Sequence, residues 1–362
     1  MSSRWILLAT SLLVAPLLAP GGARADSHGP GAAELSTQAL SAQALSSQAK
    51  AIFGPLPDVA SAPNRPLSSP RVDLGRMLYY DARLSKNHDI SCNSCHQLDN
   101  FGVDSEPTSP GHKGQRGGRN SPTSLNAALH VTQFWDGREP DVEAQAKGPV
   151  TNPIEMAMPS PEAAVQVLRS IPGYKSLFEA AFPGESQPVT YDNMGTAIGA
   201  FERGLVTPGP LDAFMAGDLK ALDARQQKGL SSFLARGCAS CHLGPALGGT
   251  LYRKIGLINA YETADKGRIE VTGAEVDLYV FKVPSLRNIA KTGPYFHDGS
   301  VKKLSDAVRL MGHHQLGIEL TKAELGDIVA FLESLTGKVD TRYVARPKLP
   351  ASGPDTPKPD PS

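Results

Sequence analysis

All four cysteines of this 362-residue chain stand in two copies of one pattern, Cys92-Asn93-Ser94-Cys95-His96 and Cys238-Ala239-Ser240-Cys241-His242. Three chemistries use thiols paired in this way. Two disulfides would suit an exported protein. Zinc ribbons separate their Cys pairs by roughly 15–20 residues, whereas His96 and His242 lie 146 positions apart. Neither use requires a histidine directly after each second cysteine. C-x-x-C-H is the attachment signature of haem c: the thiols add to the porphyrin vinyls and the histidine reaches the iron as proximal ligand. Two copies that use every cysteine predict two covalent haem c groups, held by Cys92, Cys95 and His96 and by Cys238, Cys241 and His242.

The group opposite each proximal histidine decides what each haem can do, since two strong axial ligands favour electron transfer and an open position admits peroxide or O₂. Met311 is the only methionine after the second motif, 69 residues beyond His242. A lone Met is often a core filler, but this spacing predicts a distal thioether ligand and a high-potential, electron-accepting haem. His313 and His314 are alternative ligands. For the first haem the candidate is His112, in a polar glycine-rich loop 16 residues past His96. It is either a solvent-exposed loop histidine or a ligand that folds back over the haem and can leave. Cleaving a peroxide O–O bond needs a carboxylate that acts as base and then acid, and an amide to orient the oxygen. Glu155 and Gln145 could supply these, although most Glu and Gln are surface residues.

The elements that must position these groups read as mainly α. Helices are predicted over 160–170, 190–206, 223–237 and 304–310, and a capping box, Thr321-x-x-Glu324, opens one closed by Gly337. A further helical stretch, 73–80, leads into the first haem motif. No convincing strand ladder appears, and residues 98–120 read as a long irregular loop. Residues 1–25 combine Arg4, a short apolar run and Ala23-Arg24-Ala25, so they read as a secretory signal peptide. Without Arg4 and Arg24 the 36 basic residues fall to 34 against 36 acids. That balance leaves no large basic field for nucleic acid, and no second long apolar run predicts a membrane span in the mature chain. The domain reading is a signal peptide at 1–25, a flexible lead-in at 26–50, a first haem domain at 51–207 and a second at 208–337. Residues 207–210 form the linker, and a proline-rich tail at 338–362 packs back on the first domain or stays loose.

Further strings accompany the haem motifs: Gly111-His112, Asn120-Ser121-Pro122-Thr123, Gln133-Phe134-Trp135-Asp136-Gly137-Arg138, Glu143 through Pro149, Ile154-Glu155-Met156, Pro284-Ser285-Leu286-Arg287-Asn288, Pro294-Tyr295-Phe296-His297-Asp298-Gly299 and Met311-Gly312. As a set these resemble the bacterial diheme cytochrome c peroxidases across nearly all of the mature chain. The resemblance implies two cytochrome c-like haem domains with long irregular loops. It implies a peroxidatic haem on Cys92 and Cys95 with His112 as displaceable ligand, and Gln145 and Glu155 in the pocket opened when His112 leaves. The haem on Cys238 and Cys241, ligated by His242 and Met311, would receive electrons, with Trp135 on the path between the haems. It further implies calcium held by the Asn120 side-chain oxygen and the carbonyls of Thr292 and Pro294, hydrogen peroxide as substrate, a small periplasmic cytochrome c or cupredoxin as donor, and a homodimer. His297 lies in a family string without an assigned role. The competing readings are a diheme electron carrier with both haems closed, and the related enzymes that oxidise a partner protein, in which a tyrosine replaces the axial methionine.

Overall fold

The computed structural model describes residues 41–62 and 64–362. The signal-peptide reading lies outside these residues. The fold is mainly helical. Helix α1 (Ala42–Phe53) is capped by Ser41, whose hydroxyl accepts from the Ala44 amide (3.2 Å). Helix α2 (Ser69–Tyr80) leads to α3 (Cys92–Cys95), the single turn that carries the first thiol pair. Two short helices, α4 (Val142–Gln145) and α5 (Gly148–Thr151), precede α6 (Pro161–Ser170), α7 (Pro172–Ala181) and α8 (Tyr191–Glu202). The second half holds α9 (Pro210–Met215), α10 (Ala224–Ala235), α11 (Ile269–Thr272), α12 (Leu304–Met311) and α13 (Lys322–Glu333).

Two hydrophobic cores form, each around a helix crossing that only glycine allows. In the first, α2 meets α8 so closely that a Cβ on Gly75 would lie 1.8 Å from the Ala197 carbonyl oxygen. Leu74, Leu78, Tyr79, Ile198 and Phe201 fill the core around this contact. In the second, α10 meets α13, and a Cβ on Gly229 would lie 1.9 Å from the Asp327 carbonyl oxygen. Leu230, Phe233, Ile328, Phe331 and Leu332 pack there. Each crossing holds rigid the helix that delivers the chain to a Cys pair.

Several expectations need correction. Residues 42–53, read as the end of a flexible lead-in with a weak helix from Leu45 and Ile52 toward Phe53, form a full helix, and Leu45, Ala49 and Phe53 bury in the second core rather than the first. The apolar spacing in α1 is sparse and acquires meaning only against α9 and α10. Helix α8 stops at Glu202, short of 206, and α13 at Glu333, short of Gly337. Helix α7 was not foreseen, and α9 begins inside the anticipated linker, tied down by Asp212, which accepts two bonds from the buried Arg287 guanidinium (2.8 and 2.9 Å). A small antiparallel sheet also exists: β1 (Tyr252–Lys254) pairs with β2 (Val280–Lys282), Tyr252 opposite Lys282. Three-residue strands are too short to show alternation in a sequence. The stretch 98–120 is irregular, broken by two 3₁₀ turns and a Pro110–Arg116 bridge. The tail runs back across the first core, where the Tyr80 hydroxyl donates to Val344 O and Arg83 to Pro350 O.

Candidate functional site

A first cavity is lined by Cys92, Cys95, His96, Trp135, Arg138, Gln145 and Glu155. The turn of α3 sets the two thiols three residues apart, on one helical face. Ser94 anchors the turn: its Oγ accepts from the Ser91 amide (3.0 Å). His96 follows at the end of the turn, its amide bonded to Cys92 O (3.0 Å). Its Nδ1 is buried without a hydrogen-bond partner, and burial keeps the imidazole pKa below its usual range. A neutral imidazole is the form that ligates a metal. Both thiols are unpaired.

Glu155 and Gln145 reach this cavity from different elements. Gln145 ends α4, which Asp141 caps by accepting from the Ala144 amide (2.8 Å). Glu155 sits in the turn after α5, its amide bonded to Asn152 O (3.0 Å). Burial raises the Glu155 pKa, while Arg138 and the Asn152 side chain pull it back. A half-buried carboxyl balanced in this way can both take and return a proton.

His112 is the predicted residue that the first cavity does not include. Its amide donates to Glu155 O (2.8 Å), and Gly111 lies so close to Ile154 that a Cβ there would meet its carbonyl at 1.9 Å. The loop is therefore docked on the Glu155 turn by its main chain. The imidazole is buried, and its Nε2 donates to the main-chain oxygen of Ser362 (3.2 Å).

The second cavity gathers Cys238, Cys241, His242 and Met311 with Asn120, Trp135, Thr292 and Pro294. His242 Nδ1 donates to Leu247 O (3.3 Å), which leaves Nε2 as the ligating nitrogen. Burial pushes its pKa down to about 4. Met311 closes α12 and lines the cavity. His313 and His314 do not line it; the former pairs with Glu319 (2.6 Å) and the latter with Asn259 O (2.9 Å).

Trp135 and Asn120 line both cavities. The indole N–H donates to Asn120 O (2.9 Å). His297, unassigned from sequence, accepts the Asn120 amide on its carbonyl (2.7 Å), bonds Thr263 Oγ1 through Nε2 (2.8 Å) and stands edge-on to Trp135. It packs the wall that Trp135 occupies.

The donor sets fit the haem groups that the sequence predicts and the calcium that the resemblance implies. Each cavity joins two free thiols and a neutral imidazole, the attachment set of haem c. For calcium, the Asn120 amide nitrogen donates to Glu106 O (3.0 Å) and Pro107 O (3.2 Å), so the side-chain oxygen is the end that remains for a cation. Neutral oxygens suit a hard cation. Among the described residues no cluster of three or more His, Cys, Asp or Glu could hold a metal ion.

Sequence reasoning missed Glu202, a buried carboxyl on the first cavity whose pKa burial and the neighbouring Glu143 push up to about 8. It also missed Arg138 as the neighbour of Glu155, and the pair His130 and Lys282 on the second cavity. None carries a spacing signal; each is brought to its cavity by tertiary packing.

This fold is shared with solved di-haem peroxidases: the structure of BthA from Burkholderia thailandensis superposes with a TM-score of 0.65 at 20% identity, over 81% of this chain and 92% of that one. A MauG-like protein associated with microbial copper homeostasis superposes with a TM-score of 0.73 at 28% identity, over 81% of this chain and 97% of that one. A family profile described as "Di-haem cytochrome c peroxidase" matches residues 69–220. The cytochrome c551 peroxidase of Pseudomonas aeruginosa is 47% identical over 318 residues, 86% of this chain and 91% of that protein. That of Nitrosomonas europaea is 48% identical over 299 residues, 82% of this chain and 88% of that protein. The chain belongs to the di-haem cytochrome c peroxidase family and is an oxidoreductase of the cytochrome-c peroxidase class.

Proposed function

We propose that this chain is an exported peroxidase that reduces hydrogen peroxide to water with electrons from a small periplasmic cytochrome c or cupredoxin. Residues 1–25 are its signal peptide, and no helix among the described residues is long and apolar enough to cross a membrane. The two haem modules follow the two cores, so residues 42–53 go with 208–337 rather than with the first module. As in the family it resembles, the protein works as a homodimer.

Cys92, Cys95 and His96 would hold one haem, and Cys238, Cys241, His242 and Met311 the other. When bound, the haems supply redox-active iron, with the Met311 thioether raising the potential of the second. The chain supplies the proton chemistry. Gln145 orients peroxide in the first cavity through its amide. Glu155 takes the proton from one peroxide oxygen and returns it to the other, which departs as water. Two electrons and two protons per peroxide yield two waters. Arg138 favours the ionised form of Glu155, the form that acts as base. His112 is the gate: inside the first cavity it closes the site, outside it the site is open. Trp135, on the wall common to both cavities, lies on the electron path. Calcium on Asn120, Thr292 and Pro294 braces that same wall.

The observation that carries this reading is the meeting of Glu155 and Gln145 with Cys92, Cys95 and His96 around one cavity. Met311 on the second cavity supports it over a partner-protein oxidase. The test is peroxide-dependent oxidation of a reduced small cytochrome c, with calcium present, before and after reduction of one haem. Activity only after half-reduction supports both the peroxidase and the His112 gate. Activity in both states keeps the peroxidase and removes the gate. Silence in both, with two haems attached, overturns the reading. Chelating calcium should lower the thermal midpoint and turnover; no change in either removes calcium from the proposal.

A further inference from the structure

Lys282 is a buried cation with no carboxylate in ion-pair contact among the described residues. It ends β2, 6% exposed, and lines the second cavity. Its amide donates to Trp135 O (2.8 Å). Its ammonium donates to Nδ1 of His130 (2.9 Å), another residue lining that cavity. A ring nitrogen that accepts from an ammonium carries no proton of its own, so His130 is the neutral Nε2–H tautomer. It is an acceptor for Lys282 and offers no counter-charge. Asp136 is the one carboxylate that acts on the Lys282 charge. Its oxygens are already bound by Arg119 and by Arg138 (2.9 and 3.1 Å). Lys282 makes no ion pair among the described residues.

A buried ammonium without a counter-ion costs several kcal/mol. Burial lowers the Lys282 pKa only to about 8, so the group is still mostly charged at neutral pH. The chain thus places a charged, three-donor group on the wall of a largely apolar cavity and supplies one of its acceptors from a neutral ring. The missing acceptor is an anion. Haem c carries two propionate carboxylates, and a haem held by Cys238, Cys241 and His242 would occupy the cavity that Lys282 lines.

We propose that Lys282, held in place by His130, is the counter-charge for a propionate of the second haem. This rests on the two-haem reading above. A carboxylate paired with an ammonium in a water-poor site forms a charge-assisted hydrogen bond. The positive charge also favours the reduced state, in keeping with an electron-accepting role. Because Lys282 bonds the Trp135 carbonyl through its own amide, the propionate contact is tied directly to the residue on the wall between the cavities.

The test compares the unaltered holoprotein with Lys282→Met and Lys282→Arg, each with isotopically labelled propionate carboxyls. Haem content per chain is measured first, then the infrared carboxylate band and the midpoint potential of each haem. Lys282→Met should keep both haems and Met311 ligation, shift the labelled band, and lower the midpoint of the Met311-side haem while leaving the other in place. Lys282→Arg should restore the midpoint and give a third band position. If Lys282→Met does not accumulate, Lys282→Arg alone decides, because a guanidinium must change the geometry of any direct contact. Two haems with an unmoved labelled band overturn the Lys282 assignment, whatever the midpoint does. A chain without a second haem overturns the two-haem reading and this assignment with it.

Discussion

Nε2 of His112 donates to the main-chain oxygen of Ser362, 3.2 Å away and 250 positions later in the chain. Lys86 donates to the same oxygen (2.8 Å). The imidazole is therefore held by the tail and not by the cavity whose iron it is proposed to close. The main chain of the His112 loop, by contrast, stays bonded to Glu155 O. The dock is thus made by the main chain and does not use the imidazole.

If His112 gates the first cavity, its loss should leave that cavity permanently open. His112→Ala is expected to turn over peroxide without prior reduction of either haem, at a rate close to that of the activated native protein. Stopped-flow assays on the fully oxidised variant decide this. A continued need for reduction would sink the gating role.

Glu155 is the acid–base group proposed for O–O cleavage, with a pKa raised by burial. Glu155→Gln keeps the size and the contact with Asn152 but cannot accept and return a proton. Turnover should fall roughly 10²–10⁴-fold with both haems still attached. Near-normal turnover would take Glu155 out of the mechanism.

Glu202 gives a pH dependence of known sign. Its carboxyl is pushed up to about 8 in the folded protein, against about 4.3 in an unfolded chain. Between those values the native state holds a proton that the unfolded state has released. Stability should therefore fall as pH rises across this window and level off above it. Glu202→Gln should flatten the fall in thermal midpoint; identical pH profiles for the two proteins would show that Glu202 is not the cause.

Glu143 and Arg203 form a buried bidentate pair (2.7 and 2.8 Å), with side chains 4% and 6% exposed. Removing one partner strands the other charge. Arg203→Met should cost about 3–5 kcal/mol of stability, read from denaturant unfolding of the holoprotein. A loss below about 1 kcal/mol, the range of exposed pairs, would mean that Glu143 finds another partner or a proton.

The haem motifs, Glu155 with Gln145, and Met311 stand out in the sequence for different reasons. C-x-x-C-H is a local pattern, because one helical turn is enough to present both thiols and the histidine. Met311 stood out by being alone. Glu155 and Gln145 were legible only through a family resemblance, since nothing in a lone Glu or Gln separates a pocket from a surface.

Local chemistry thus set the cofactor attachment, the main helices and their caps, because these depend on neighbours within a few residues. The tertiary structure alone decided that α1 belongs to the second core and that Trp135 and Asn120 line both cavities. It alone brought Lys282 to His130 and Ser362 to His112, contacts that span 152 and 250 positions. Pairings of that length leave no periodic trace in a single sequence; they arise when two packed cores bring distant loops against one wall.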